Sequence, residues 1–142
     1  MVFYHDRSIR FRETDAAGVV YFTEILNLCH EAYEESLAQA GIDVRHLFSP
    51  QGIALPIKRA TVDFWRPLFC GDRLRISLEG QAISASEFDL HYHLYRLDGG
   101  STWNPTDRPV AQAQTVHVCI RGDDRQRRDL PEDLQSWLCS LA

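Results

Sequence analysis

Long apolar runs are missing from this 142-residue chain: none approaches the ~20 residues needed to span a bilayer, so no membrane-crossing helix is expected. The opening Met1-Val-Phe-Tyr-His-Asp6 has no basic region followed by an apolar stretch, and no secretory signal is expected either. Cysteine is sparse. Cys29, Cys70, Cys119 and Cys139 stand far apart with no CxxC pair, and they read as reduced thiols of a cytoplasmic protein, not as a disulfide framework or zinc site. No glycine-rich phosphate loop occurs, Gly99-Gly100 being an isolated turn pair. Positive charge is in deficit, and the net charge of -5 argues against nucleic acid as a partner. Repeats, low-complexity segments and signs of a second domain are also absent. Residues 1–142 are therefore expected to form one domain, able to bury roughly 68–70% of its unfolded surface without metal or disulfide.

What is present is a long amphipathic segment behind a turn. From Phe22 to Ala40, apolar residues recur at Phe22, Ile25, Leu26, Cys29, Ala32, Tyr33, Leu37 and Ala40, the spacing of one buried helical face. Leu28 widens that stripe. Gly41 stands where a left-handed C-terminal cap is expected. Immediately upstream, Asp15-Ala-Ala-Gly18 has the residues of a type I turn. The order places a carboxylate just ahead of the helix N-terminus.

The flanking segments read as strands. Ile9 and Phe11 alternate with polar residues in a strand over 3–14. Asp43 is a candidate cap for a short helical turn carrying Val44, Leu47 and Phe48. Strands are expected over Ile57–Arg66, Arg73–Ile83, Phe88–Tyr95 and Val110–Arg121, with a turn at 84–86, a loop over 98–109 and a mobile link over Gly122–Asp129. Pro131 opens a short helix with Leu134, Trp137, Leu138 and Leu141 on its apolar stripe. The class is α+β: an antiparallel five-stranded sheet wrapped around one long helix, plus a short C-terminal helix. One helix covers only part of such a sheet, so a second copy is expected to cover the rest, as a homodimer or a dimer-of-dimers tetramer.

The block Asp15-Ala-Ala-Gly18-Val-Val-Tyr-Phe22 resembles the hot-dog thioesterases of the 4-hydroxybenzoyl-CoA thioesterase family. The order of elements agrees along nearly the whole chain. Cys29-His-Glu-Ala-Tyr-Glu34, Ala54-Leu-Pro-Ile57, Asp63-Phe64, Cys70-Gly-Asp-Arg-Leu74 and Ala113–Ile120 are similar to the cyanobacterial branch acting on 1,4-dihydroxy-2-naphthoyl-CoA. Ala16, Ala17 and the 98–109 loop depart from it. The resemblance implies a hot-dog fold and hydrolysis of an aromatic acyl-CoA in phylloquinone synthesis, at a site between subunits and without a cofactor. It also implies that the backbone N–H near Phe22 is the oxyanion donor.

The chemistry fits those residues. Thioester hydrolysis needs a group that attacks the carbonyl or activates water, and Asp15 can serve as nucleophile or as general base. The free N–H groups at a helix start can stabilise the oxyanion. Gly18, lacking a side chain, lets the ester approach the backbone. Read without the resemblance, Asp15 is equally a turn or capping aspartate. Tyr21 and Phe22 read as packing residues.

Other groupings are weaker. His91 and His93 share a strand face without an evident third metal ligand. His30, Glu31 and Glu34 suggest an acid–base cluster but fit a solvated helix face better. Ser36, Ser84 and Ser86 have no nucleophile-elbow context. Cys29 reads as core. Lys58, Arg59, Arg66, Arg73, Arg75, Arg121, Arg125, Arg127 and Arg128 are candidates for the coenzyme A phosphates, with no means of choosing among them. Two alternatives remain: a broader thioesterase of short-chain, fatty or acyl-carrier-protein esters, and a non-catalytic acyl-CoA binding module.

Overall fold

A computed structural model describes residues 1–100 and 102–142. Strand β1 (Phe3–Ser8) is followed by the long helix α1 (Phe22–Gln39), the single turn α2 (Val44–Leu47) and the short strand β2 (Ile53–Ala54). Then come β3 (Ile57–Phe64), β4 (Arg73–Ser84), β5 (Glu87–Leu97), β6 (Ala111–Val118), β7 (Ile120–Arg121) and the helix α3 (Glu132–Ser140). The main sheet is five-stranded in the order β1-β4-β5-β6-β3, with every pairing antiparallel. Its inner face packs on α1. Leu74, Ile76 and Leu78 of β4 and Phe88, Leu90 and Leu94 of β5 are fully buried against Ile25, Leu28, Cys29 and Ala32.

The helix starts where its apolar period begins and stops where glycine permits. Gly41 has φ +78°, its N–H donates to Ala38 at 3.0 Å, and the Ile42 N–H donates to Leu37 at 3.0 Å. These two bonds occupy the last carbonyls in a Schellman cap. Ser36 belongs to the buried face: its hydroxyl donates to the Tyr33 carbonyl at 2.7 Å and accepts the Trp137 indole N–H at 3.1 Å. Phe22, expected in the stripe, is 59% exposed at the helix tip. Asp43 caps α2 by accepting the Arg45 N–H at 3.0 Å, as its sequence position suggests.

Four local expectations need correction. The first strand ends at Ser8, because Arg10 N–H donates to the Glu13 carboxylate at 2.7 Å and winds Phe11–Glu13 into a 3₁₀ turn. Phe11 is consequently 82% exposed. The strand expected over 110–121 breaks at Cys119, and β7 leaves the main sheet to pair with β2. The link after Gly122 is a bonded turn: Arg121 N–H donates to Gln126 at 2.8 Å and Arg128 N–H to Cys119 at 3.2 Å. Pro131 is the N-cap of α3, one position earlier than expected.

Trp103, in the segment before β6, lies over the outer face of the sheet, away from α1. Trp103 meets Tyr4 and Tyr95 edge-on, with centroids 5.3 and 5.4 Å apart, and the Arg75 guanidinium sits 4.8 Å over its ring. This stacking buries Tyr95 on the sheet face opposite the core.

Candidate active site

Asp15 stands at the tip of a short hairpin that feeds α1. Its N–H donates to Val19 at 2.8 Å, the Gly18 N–H returns to the Asp15 carbonyl at 3.0 Å, and the Tyr21 N–H donates to Glu13 at 3.0 Å. Gly18 has φ +82°, a conformation that L side chains rarely adopt, and so closes the turn. The Asp15 Oδ1 accepts the Ala17 N–H at 2.9 Å, an aspartate-capped turn. The Val19 N–H reaches the same Oδ1 at 3.4 Å, so the turn engages one carboxylate oxygen and leaves Oδ2 without a hydrogen bond among the described residues. On the outgoing side, Val20 N–H donates to Leu68 at 2.8 Å, docking the hairpin on the segment after β3.

The half-buried Asp15 lines a cleft of about 430 Å³ together with Tyr21, Phe22, Phe64, Trp65 and Arg66. Asp15, the expected nucleophile or base, and Phe22, the expected oxyanion donor, thus border one cleft. Gly18 shapes the turn without lining that cleft. Tyr21 is the N-cap of α1 and makes no side-chain capping bond, so no side chain competes for the first helical N–H groups. Phe64, Trp65 and Phe22 are 52%, 42% and 59% exposed, an apolar lip around a carboxylate. A polarised carbonyl placed here meets an anion on one side and the positive end of the helix dipole on the other.

A second cavity of about 350 Å³ opens beside the far end of β3, between α1 and α2, lined by Leu37, Val44, Phe48, Leu55, Ile57 and His117. His117 is fully buried, and burial pushes its pKa down to about 4, helped by the neighbouring His30. It is a neutral imidazole at neutral pH, its Nε2 2.8 Å from the Thr115 hydroxyl.

The candidate cations sort themselves by partner. Arg75 forks onto Asp6 at 2.8 and 2.7 Å, Lys58 pairs with Glu87, Arg127 reaches Glu87 at 3.6 Å and Arg121 reaches Asp124 at 3.6 Å. Arg59, Arg66, Arg73, Arg125 and Arg128 have no carboxylate partner among the described residues, Arg73 donating instead to the Ser8 hydroxyl at 3.1 Å. Of these, Arg66 lines the Asp15 cleft. The His30 grouping is divided: His30 pairs with Glu34 at 3.0 Å, while Glu31 turns to His5 and Arg7 on β1. His91 approaches Asp89 at 3.3 Å on the outer face of the sheet, and His93 stacks near Tyr95. Burial pushes the Cys29 thiol up to about 12, consistent with a core role.

This arrangement is that of a known group of folds. The profile of the Thioesterase-like superfamily matches residues 9–138. The chain belongs to this superfamily. Its fold is the hot-dog fold, with the sheet wrapped on α1. The chain is 48% identical over 136 residues to the 1,4-dihydroxy-2-naphthoyl-CoA hydrolase of Thermosynechococcus vestitus, covering 96% of this chain and 88% of that protein. The enzyme of the same name from Trichodesmium erythraeum is 44% identical over 141 residues, covering 99% and 98%. A 1,4-dihydroxy-2-naphthoyl-CoA thioesterase from Synechocystis has a crystal structure similar at TM-score 0.87 and 35% identity, over 99% of this chain and 98% of that one.

In this hot-dog thioesterase, sequence reasoning overlooked Glu13 and Arg7. Glu13 is 4% exposed, and its carboxylate accepts the Arg10 N–H and pairs with Arg7. A capping box is read from Ser or Thr at the N-cap, and Arg10 occupies that place here. The Ile9 and Phe11 alternation further disguised the turn as strand.

Proposed function

We propose that this thioesterase hydrolyses 1,4-dihydroxy-2-naphthoyl-CoA to the free acid and coenzyme A. The observation that carries this reading is the shared cleft of Asp15 and the uncapped start of α1. The names of relatives aligned over nearly the whole chain supply the substrate. Asp15 acts either by attacking the thioester carbon, giving a mixed anhydride and releasing thiolate, or by taking a proton from the attacking water. In both cases negative charge develops on the carbonyl oxygen. The Phe22 N–H, at the positive helix end, receives that charge. A preorganised donor of this kind contributes about 10²–10³ in rate, and a positioned acid or base about 10²–10⁴. Arg66, in the same cleft and without a carboxylate partner among the described residues, is the first candidate for an anionic part of the ligand.

The active unit is a homodimer, alone or within a dimer-of-dimers tetramer. Strand β3 is a sheet edge: it pairs with β6 on one side, and its residues are mostly exposed. Exposed edges bordered by apolar residues invite pairing with a second strand. Antiparallel self-pairing of β3 sets the Phe64 end of one protomer beside the Ile57 end of the other. The Asp15 cleft then faces the partner's second cavity, giving a joint apolar space for a bicyclic aromatic acyl group.

The deciding measurement is thiol release from naphthoyl-CoA, benzoyl-CoA and fatty acyl-CoA compared side by side. The dihydroxynaphthoyl ester is expected to have the highest kcat/KM. Preference for aliphatic chains would overturn the substrate assignment, and binding of all the esters without turnover would overturn the enzyme mechanism.

A further inference from the structure

We infer that Arg7 is a positioning residue: its guanidinium holds the Asp15 turn and the α1 helix at their working separation, an inference that rests on the thioesterase reading above. Arg7 projects from β1, its side chain 13% exposed, and all three of its nitrogens are engaged. Nε donates to the Ser8 carbonyl at 3.1 Å. One terminal nitrogen pairs with Glu13, whose side chain is 6% exposed. The other donates to Glu31 Oε1 on α1 at 2.8 Å, and Glu31 Oε2 meets His5 Nε2 at 2.8 Å.

Each partner leads to one half of the site. Glu13 closes the 3₁₀ turn that leads into Asp15, and its carbonyl accepts the N–H of Tyr21, the residue before Phe22. Glu31 belongs to the helix that presents the Phe22 N–H. A single planar fork therefore fastens β1, the carboxylate-bearing hairpin and the helix to one another. Lysine carries the same charge without that fork and cannot set both directions at once. Stability alone is a poor reason for the cluster, since a buried ion pair is often no more stabilising than apolar packing of the same volume. Directional placement is what it adds. Catalysis is sensitive to such placement, a shift of about 1 Å costing about 10²-fold.

The test compares Arg7→Lys, Glu31→Gln and their double variant with the parent and with Asp15→Asn, measuring kcat, KM and Tm on the preferred acyl-CoA. Arg7→Lys is expected to lower kcat about tenfold to a hundredfold while KM stays within about twofold. Glu31→Gln is expected to give a smaller fall, and the double variant to match Arg7→Lys alone, because Glu31 acts through Arg7. Parental kcat in Arg7→Lys, or additive losses that merely follow Tm, overturns the inference. Should Arg7→Lys fail to fold, Glu31→Gln decides: its carboxylate is 38% exposed, and parental kcat there overturns the proposal. Asp15→Asn separates the two levels. If it turns over at the parent rate, the catalytic reading itself fails; if it is inactive while Arg7→Lys is unaffected, only the role of Arg7 fails.

Discussion

The imidazole of His117 lies flat against the ring of Phe88, with 2° between their planes and 4.8 Å between centroids. Tyr33 closes over it edge-on at 5.2 Å. Burial pushes the His117 pKa from its ordinary 6.5 down to about 4, so the unfolded chain takes up this proton first. The associated stability is complete above about pH 6.5, declines as pH falls through that window and is gone below about pH 4, an upper bound of about 3 kcal/mol. Denaturant titrations at pH 7, 5.5 and 4.5 should show the decline. His117→Gln should be less stable at pH 7 and lack that step.

Asparagine and alanine at position 15 separate turn from chemistry. Asp15→Asn keeps an oxygen to accept the Ala17 N–H, so Tm should stay close to the parent while thiol release falls about 10²–10⁴-fold. Asp15→Ala loses the cap as well and should be destabilised by about 1 kcal/mol. Parental turnover in Asp15→Asn removes the proposed role.

Gly18→Ala probes backbone strain without steric conflict. A Cβ at Gly18 meets nothing within 4 Å, yet φ is +82°. The cost should be about 1–2 kcal/mol, read as a Tm lowered by a few degrees. Turnover should fall as well, since relaxation of the turn moves Asp15. An unchanged Tm contradicts the conformational argument.

The β3 edge offers a test of assembly. Ala60→Glu sets like charges near each other across the two-fold of a self-paired strand. Light scattering should then report a dimer or tetramer for the parent and a monomer for the variant, with loss of turnover. A variant that remains assembled places the interface elsewhere.

Much of the fold was legible because its signals are local. The α1 stripe, the Gly41 cap, the Asp43 cap and the Asp15–Gly18 turn each follow from residues within a few positions of one another. Strands β4 and β5 likewise lie within a residue or two of the segments expected for them. What escaped was non-local. The end of β1 at Ser8 depends on a Glu13 carboxylate satisfied by Arg7 from across the β1 turn, and the break at Cys119 depends on β2 being available to pair with β7.

The sequence by itself determined the helix, its caps, strands β4 and β5 and the presence of a carboxylate before the helix start, because periodicity and turn chemistry act over one or two turns of chain. Only the tertiary structure decided that Asp15 and Phe22 border one cleft, that Arg66 joins them while Arg75 and Lys58 are engaged elsewhere, and that Glu13 is buried. Those outcomes turn on which distant groups the fold brings together, and the energy of a charge there is set by its neighbours in the fold.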